Sequence, residues 1–330
     1  MREINRRPAG ILLPFIGATL MLPALACAQL ARSQPDAVTG ADPDLAQVYG
    51  YWRAGQWAQV LALMGPPANQ GNAVAQFLMG ELYDRGDGVP QDDEQAVRWW
   101  RKAAEQGLAR AQNEVGVALT DGRGMSPDPQ QAVLWYRKAA DQGLDVAQVN
   151  LGLMYLNGLG GLTKDDQQAV SWFRKAADQG LGWAQYYLGV AYLEGRGVRR
   201  NTPAAADWIR KAAEQEYMEA EYSLGVMYVR GTGVDQDYAR ATIWFVRAAR
   251  DGYDLNERFL TDELLPHLSR VRPPASTEIR EGPATTAAII RTTDGREYAY
   301  VLEHSKKWTE VLFESGHTVG YISTEQLHGK

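Results

Sequence analysis

Histidines are among the residues of this chain best able to do chemistry, because they serve as metal ligands and as general acids and bases. All four lie in the last fifth of the sequence, and their spacing matches no metal site. We interpret them as exposed or loop histidines: His267, His304, His317 and His328. The catalytic patterns G-x-S-x-G, H-E-x-x-H and S-x-x-K do not occur. The residues therefore predict no catalytic site, no metal and no cofactor.

A column of basic residues, each beside an Ala-Ala pair, has two interpretations. It forms either a ladder for an anionic ligand or the solvated last turn of successive helices, where the negative end of the helix dipole favours positive charge. We favour the second for Lys102, Lys138, Lys175, Lys211 and Arg247. A matching column of tryptophans is interpreted as core and not as a ligand cage: Trp99, Trp135, Trp172, Trp208 and Trp244.

These columns belong to a pattern that recurs five times over residues 72–252. Mid-segment glycines mark it at steps of 36, 36, 37 and 36 residues: Gly80, Gly116, Gly152, Gly189 and Gly225. Such a period predicts stacked helix-turn-helix units, and hence a mainly α fold, a right-handed α-solenoid. Glycine inside a helix costs about 0.5–1 kcal/mol relative to alanine. We infer that each of these glycines lets an aromatic ring of the second helix approach the backbone.

Local signals predict the ends of the two helices of each unit, which we call helix A and helix B. Helix A begins near Ala75 and its equivalents, and Asp92 and its equivalents suit the N-cap of helix B. Glycine ends helix B at positions 107, 143, 180 and 252. Glu216 interrupts that column, which predicts a different turn after the fourth unit. Paired glycines such as Gly86 and Gly88 predict turns with positive φ.

The columns A-x-A-Q-x-x-L-G-x-x-Y, G-x-G-V-x-x-D and A-x-x-W-x-x-K-A-A-x-Q-G resemble the Sel1-like repeat, a relative of the tetratricopeptide repeat. The resemblance covers about residues 46–252. It implies a curved adaptor, and exported bacterial members of the family are commonly linked to envelope assembly, secretion or host contact. Residues 45–71 resemble a degenerate capping repeat, and residues 253–270 predict a helix that closes the array.

A second stripe on helix A changes character from repeat to repeat while the core columns stay constant. Its spacing of 4, 3 and 4 residues gathers it on one face, which in stacked helical pairs usually lines the concave surface. We take it as a candidate groove for a protein partner, with Trp183 and Tyr187 as anchors; the alternative is unconstrained surface. The candidate residues are Leu78, Glu81, Glu114, Val117, Asn150, Leu153, Trp183, Tyr187, Val190, Ser223 and Val226.

The N-terminus carries signals for export. Three arginines precede an apolar run over residues 11–22, too short and broken to span a membrane, and Ala26-Cys27-Ala28 follows. This pattern predicts a signal peptide over residues 1–28, cleaved between Ala28 and Gln29. Cys27, the only cysteine, is then discarded, and a lipid anchor on it is the alternative. Residues 29–44 predict a flexible segment, and the predicted location is periplasmic or secreted. The formal charge of −6 gives no footprint for nucleic acid.

Beyond residue 270 the helical pattern gives way to strands. Residues 271–276 predict a linker, and residues 277–330 a small all-β barrel with strands at 297–302, 308–313 and 318–322. The run Ile279-Arg280-Glu281-Gly282-Pro283, then Gly295, Trp308-x-x-Val311 and Gly320-Tyr321-Ile322, resembles a bacterial SH3-like domain, which often has Gly-Trp at the last site. Such modules are often associated with binding of cell-wall peptide or protein. The candidate ligand face is Tyr298, Tyr300, Trp308 and Tyr321.

These features predict an exported, non-enzymatic scaffold that holds a protein partner in the groove of its repeats. The SH3-like domain would tether it to peptidoglycan or to a second protein in envelope assembly or maintenance. The alternative is a secreted protein that contacts host or neighbouring cells. A wall hydrolase or β-lactamase has the least support, because the chain lacks both an S-x-x-K pattern and the cysteines of the Sel1-like proteins discussed as penicillin-binding.

Overall fold

A computed structural model describes residues 43–250, 264–273, 275–284, 286–293, 296–313 and 319–327. The predicted leader lies outside these ranges, as do the cleavage site at 28–29, the lipid anchor at 27 and the segment 29–42. So do most of the predicted closing helix, residues 294–295 and 314–318 of the predicted barrel, and two of the histidines, at 317 and 328. The chain forms two compact units, whose described parts are residues 43–199 and 200–327.

The first unit contains nine helices among its described residues. They are α1 (Pro43–Arg53), α2 (Trp57–Asn69), α3 (Ala73–Arg85), α4 (Asp93–Glu105), α5 (Ala109–Asp121), α6 (Pro129–Asp141), α7 (Asp145–Asn157), α8 (Asp166–Asp178) and α9 (Gly182–Glu194). From α3 onward they alternate as helix A and helix B of successive repeats, whereas α1 and α2 occupy the predicted capping repeat.

The second unit begins with three helices, α10 (Thr202–Ala213), α11 (Met218–Arg230) and α12 (Tyr238–Arg250). A 3-10 turn follows at Leu265–His267. The rest of the described chain is a sheet with a short final helix: β1 (Arg270–Val271), β2 (Glu278–Arg280), β3 (Ile289–Thr292), β4 (Ala299–His304), β5 (Trp308–Phe313), β6 (Val319–Ser323) and α13 (Thr324–Leu327).

The capping helix α2 is longer than predicted. It runs through Pro66 and Pro67 to Asn69, whereas the sequence predicts that the prolines end it. Proline removes one backbone donor, but here it does so only near the last turn. The amide of Gln70 donates to the carbonyl of Pro66, and the amide of Asn72 donates to that of Pro67, so the end of the helix is still bonded.

Helix B begins as predicted at a capping side chain. The carboxylate of Asp92 accepts a hydrogen bond of 2.9 Å from the amide of Gln95, and positions 128, 165, 201 and 237 make the same bond. Gly107 ends the first helix B at a φ of 96°. Glu216 adopts a φ of 61° at the equivalent position, so the turn is kept and the prediction of a different turn is wrong. The left-handed backbone conformation of this glutamate lowers the free energy of unfolding by roughly 1–2 kcal/mol.

In four of the five repeats the helix A glycine lies against an aromatic ring of helix B, as we inferred. A Cβ atom added to Gly116 would lie 2.6 Å from the ring of Tyr136, closer than real Cβ contacts allow. One added to Gly80 would overlap the ring of Trp100. Two further pairs share the contact: Gly152 with Phe173, and Gly225 with Phe245. Glycine is therefore the residue that permits this packing of A on B.

Glycines in the A-to-B loops bring consecutive repeats together. Gly124 has a φ of 64°, and an added Cβ would lie 2.5 Å from the carbonyl carbon of Asp93, in the first turn of helix B of the preceding repeat. Gly197 meets the backbone of Asp166 in the same way. Because backbone meets backbone at these points, a side chain has no room.

The loop contact predicts different costs for two alanine substitutions at glycines of positive φ. Gly124→Ala should lower the free energy of unfolding by about 3 kcal/mol or more, because the backbone of Asp93 must move. Gly143 has a φ of 91° with no atom within 4 Å of an added Cβ, so Gly143→Ala should cost only about 1–2 kcal/mol. Urea denaturation followed by circular dichroism measures both, and equal losses would contradict the close contact.

The strands form one antiparallel sheet in the order β1-β4-β5-β6-β2-β3. Part of the predicted linker belongs to it, since Val271 pairs with Ala299. The linker prediction is wrong there because strand pairing begins directly after the 3-10 turn. The two outer strands, β1 and β3, do not pair with each other, so the described sheet is open and not the closed barrel that we predicted.

One face of the sheet packs on α12, the helix B of the fifth repeat. Tyr300, Leu302 and Leu312 share an apolar cluster with Ile243 and Val246. The other four repeats have arginine at the position of Val246, namely residues 101, 137, 174 and 210. This change from arginine to valine indicates that the helix face is covered. It is visible in the sequence, but we did not use it to predict the packing.

Restoring the arginine of the other repeats should weaken this packing. Val246→Arg places a guanidinium among Tyr300, Leu302 and Leu312, so we expect a loss of about 2 kcal/mol and faster amide exchange in β4 and β5. The reciprocal change Arg101→Val, at an exposed position, should change the free energy of unfolding by less than about 0.5 kcal/mol. Hydrogen-exchange mass spectrometry resolves the strands, and unchanged exchange in Val246→Arg would rule out the packing as a stabilising contact.

Candidate functional site

The predicted groove stripe on helix A lies mostly between helices. Glu81, Glu114 and Leu153 keep partial exposure. The other eight residues are at most 6% exposed: Leu78, Val117, Asn150, Trp183, Tyr187, Val190, Ser223 and Val226. The expectation of an open groove wall is therefore wrong for most of the stripe, because these side chains pack against their neighbours. Binding of a partner by this stripe stays a prediction.

The two predicted anchors are packing residues. The ring of Tyr187 stacks on Phe173 of α8, with centroids 5.1 Å apart. Trp183 packs edge-on against Tyr187 at 6.4 Å. Tyr187 thus joins α9 to α8, and Trp183 packs on Tyr187 within α9. Removing them would disturb the repeat itself, so they are poor probes of partner binding.

A shallow pocket lies where α7, α8 and α9 meet, and two stripe residues line it, Tyr187 and Val190. Its remaining apolar walls are Leu156, Val170, Phe173 and Ala191. Glu194 and Arg196 also line the pocket and pair at 2.8 Å, with 21% and 35% of their side chains exposed. An apolar floor with a charged margin is suited to contact an apolar side chain of another protein and to orient its polar neighbours.

A charged network occupies the same face in the first two repeats. Arg85 donates to Glu81 at 3.2 Å. Arg123 donates to Asp84 and lies 3.9 Å from Glu114. Four of its five side chains are at least four-fifths buried: Glu81, Asp84, Glu114 and Arg123. The network therefore links helix A of repeat one to helix A and the loop of repeat two.

Amide side chains extend the network into the third repeat. Asn113 donates to Glu114 at 3.1 Å, and Asn150 donates to Asn113 at 2.9 Å. Asn150 is 6% exposed, so this stripe residue acts as a buried link and not as open surface. A buried polar chain of this kind needs every member satisfied, and it fixes the register of the helices that carry it.

Glu81 carries the largest shift of protonation in this network. The pKa of its carboxyl is raised from 4.5 to about 7, mainly by burial; the nearby Glu114 and Asp84 contribute to the rise, while Arg85 opposes it. Burial and like charge both disfavour the carboxylate form. Near neutral pH this side chain therefore changes charge on the inner face of helix A.

A column of glutamines ties the repeats together. Gln112 is buried; its amide donates to the carbonyl of Ala104 at 3.2 Å and accepts from Gln142 at 2.8 Å. Gln76 and Gln148 make the equivalent pairs. Each glutamine of helix A thus links two helices B: that of the preceding repeat, whose carbonyl it binds, and that of its own repeat, whose terminal glutamine donates to it. The signal was the constant glutamine of the A-x-A-Q column, to which we assigned no role.

The basic column and the tryptophan column form pairs. The ammonium of Lys102 lies 4.1 Å from the ring centre of Trp99, and the remaining pairs in the column lie 3.7 to 4.8 Å apart. The tryptophans are half-buried, so the prediction that they form the core is wrong: the residue after each one, such as Trp100, is buried instead. Because each basic side chain covers a tryptophan ring, the arrangement supports neither a column of basic residues that binds an anionic ligand nor a tryptophan cage around a ligand.

The predicted SH3-like ligand face is partly covered. Tyr300 is 9% exposed and packs in the α12 cluster, so it is not open to a ligand. Trp308 and Tyr321 are partly exposed, and Tyr298 is the most exposed of the four at 36%. The hydroxyl of Tyr321 donates to Glu310 at 2.9 Å.

Burial is the main cause of the protonation shifts on this face. It raises the pKa of Glu310, and the hydrogen bond from Tyr321 opposes that shift. Burial and the neighbouring Glu310 raise the pKa of Tyr321 to about 12. The pair is therefore a hydrogen bond between the neighbouring strands β5 and β6.

The described residues contain no cluster of three or more histidine, cysteine, aspartate or glutamate side chains able to hold a metal. His267 stacks on Tyr238 at 4.0 Å between ring centres. Within the described ranges, no helix has the length and apolar character needed to cross a membrane.

Antiparallel helix pairs in series, with a recurring glycine–aromatic contact, define a helix-turn-helix α-solenoid. The Sel1 repeat model matches residues 73–108, 109–144, 145–181, 184–217 and 219–253, more than half of the chain. The chain belongs to the Sel1 repeat family. Proteins with these repeats are protein-interaction scaffolds, typically non-enzymatic, and no catalytic family is indicated.

Solved structures support the assignment. A Sel1 repeat protein from Oxalobacter formigenes is 34% identical, with a TM-score of 0.59 over 64% of this chain and 84% of that one. The protein c5321, a protective antigen present in uropathogenic Escherichia coli strains, is 36% identical, with a TM-score of 0.58 over 70% of this chain and 49% of that one. No curated protein matches the sequence significantly.

The raised pKa of Glu81 predicts a pH-dependent stability that one substitution removes. The folded carboxyl has a higher pKa than the unfolded one, so its contribution is complete below about pH 4.5 and is lost as pH rises towards 7. Glu81→Gln should therefore match the wild type near pH 4.5 and be more stable by roughly 2 kcal/mol at pH 8. Urea denaturation across this pH range measures the difference.

Glu94→Gln is the matched control, because Glu94 is 70% exposed and pairs with Arg98 on the surface. It should change stability by less than about 0.5 kcal/mol at every pH. A Glu81→Gln curve parallel to that of the wild type would show that the carboxyl is not perturbed.

Proposed function

We propose that the protein is exported and acts as a non-enzymatic adaptor in the cell envelope. A segment of a partner protein would bind along the helix A face of the first unit, with an apolar side chain over the pocket lined by Tyr187 and Val190. The observation that carries this proposal is the pocket itself, an apolar floor beside the Glu194–Arg196 pair, in a family of protein-interaction scaffolds. The leader pattern at residues 1–28 supports export.

The C-terminal sheet would act as a tether to cell-wall peptide or to a second protein. Support comes from the sequence pattern shared with bacterial SH3-like domains and from two exposed regions of the sheet. Tyr298 is exposed, and the outer strand β3 presents Ile289 and Ile290, each more than 40% exposed. Because α12 covers Tyr300, the tethering surface would lie at the margins of the sheet and not at its centre.

Site-specific photo-cross-linking in the native cell tests the adaptor. A photoreactive amino acid at position 153 reports on the helix A face, and one at position 134 on helix B is the matched control, since Leu134 is 48% exposed on the opposite helix. We expect one partner to be captured from position 153 and not from position 134. Mass spectrometry of the product identifies it.

A charge reversal makes the test specific. Arg196→Glu should reduce that cross-link several-fold because it breaks the pair with Glu194 and reverses the charge beside the pocket. The double variant Glu194→Arg, Arg196→Glu restores the pair, so it should keep the stability of the wild type while still failing to capture the partner. Capture unaffected by either variant, or equal capture from position 134, would reject the helix A face as the binding surface.

The likeness to the protective antigen of uropathogenic strains favours a second candidate, a secreted protein that contacts host or neighbouring cells. The two functions differ in location. Immunoblots of culture supernatant and of the periplasmic fraction separate them: protein found only in the supernatant supports contact with other cells, and protein retained in the envelope supports the adaptor.

A further inference from the structure

The margin of the sheet at β1 carries an exposed cluster of basic and aromatic side chains. The guanidinium of Arg270 lies 4.3 Å from the ring centre of Tyr298, and that of Arg272 lies 4.7 Å from the same ring. Arg272 also donates to the carbonyl of Arg296 at 3.2 Å. All three arginines and Tyr298 are exposed. We call these four residues the arginine margin.

The register of the strands explains the cluster. Arg270 pairs with Tyr300, and Val271 pairs with Ala299. Side chains two residues apart on a strand share a face, so Arg270 and Arg272 lie on the face that carries Tyr298 and Tyr300. Arg270 also lies 5.6 Å from the ring centre of Tyr300. The backbone thus gathers two guanidinium groups on one exposed face, where the charge of an anion is complementary to theirs.

Stacking prepares these guanidinium groups for an anion. A guanidinium whose flat face covers an aromatic ring still presents its N–H groups at the edge, in the fork geometry that matches a carboxylate. Because the ring limits the rotation of both side chains, less conformational entropy is lost when they bind. An acidic ligand is therefore complementary to this cluster in charge and in geometry.

The edge of the sheet adds a second means of recognition. Among the described residues, β1 is an outermost strand and pairs only with β4. Its outer side can accept an extended peptide, whose main chain would hydrogen-bond to β1 while alternate side chains reach the face of the arginines. Carboxylates at every second residue of such a peptide would meet Arg270 and Arg272.

We propose that the arginine margin binds an acidic, extended segment of a protein by adding it as a strand beside β1. This deepens the proposed function, because it rests on the tethering role of the sheet and names the chemistry of what is tethered. The β1 strand supplies main-chain pairing, Arg270 and Arg272 bind carboxylates, and Tyr298 holds both arginines in place.

Fluorescence anisotropy with labelled octapeptides and the full chain tests the proposal. The probe alternates glutamate and threonine; one matched peptide has glutamine for glutamate, and another has proline at alternate positions, which prevents strand pairing. We expect measurable binding of the glutamate peptide only, about tenfold weaker for Arg272→Ala. Arg272→Lys should also weaken binding, because lysine keeps the charge but loses the fork.

Lys306→Ala with Lys307→Ala is the matched control, since both lysines are exposed in the turn between β4 and β5. This variant should bind the peptide as the wild type does, despite its larger loss of charge. Equal weakening by the lysine and arginine variants would overturn the proposal, because it would show unspecific attraction. Binding of the proline peptide would exclude strand addition, and binding retained in every arginine variant would point to the other edge, at β3.

Two further results keep this inference separate from the adaptor proposal. Inorganic polyphosphate that binds the arginine margin when the glutamate peptide does not would overturn the choice of a peptide ligand. The peptide assay uses purified protein without the partner of the repeats. A failed peptide assay with intact cross-linking from position 153 therefore rejects only the arginine margin, whereas lost cross-linking with intact peptide binding rejects only the helix A face.

Discussion

The fold depends on one contact, an aromatic ring of helix B lying on the bare backbone of a helix A glycine. The ring of Tyr136 sits where a Cβ atom of Gly116 would be, and Phe173 sits in the same way on Gly152. This close approach gains dispersion contacts over a large ring face, which offset the roughly 0.5–1 kcal/mol that glycine costs in a helix. Four of the five repeats make this contact, whereas the fourth has Ile209 at the position of the ring, and where the contact is made it fixes the register of helix A against helix B.

Stacking of the repeats adds contacts made by backbone and amide groups. Gly124 brings one loop onto the backbone of Asp93, and Gln112 donates to the carbonyl of Ala104 in the preceding helix B. The first contact is a close approach of two backbones, and the second adds a side-chain donor to a carbonyl at the end of helix B. Their stacking energy therefore arises between neighbouring repeats, so each repeat is stabilised by the next one along the chain.

Periodicity predicted the helices well because each one obeys local rules. Asp92 caps its helix through its own side chain, and the glycine column specified the A–B contact without knowledge of the fold. Prediction failed where burial depends on partners remote in sequence. Trp99 and Trp100 are equally apolar, and only packing makes the second one the buried ring. The stripe containing Asn150 is polar enough to suggest surface, yet Asn113 of the preceding repeat covers this residue. Tyr300 looked open because the sequence alone does not tell which helix the sheet covers.

A repeat scaffold can acquire specificity at the positions that differ between its repeats, because the residues that are constant in all repeats already pack the helices together. Along the helix A stripe of the first unit, Glu81 and Glu114 give way to the apolar Val190 and Tyr187. The first two repeats thus carry a largely buried charged network, and the third and fourth carry an apolar pocket beside an ion pair. The partner segment that we propose would accordingly be polar at one end and apolar at the other. Val246 is a further departure, in the fifth repeat. Because valine stands there in place of the arginine of the other repeats, this face of α12 is apolar and packs against the sheet.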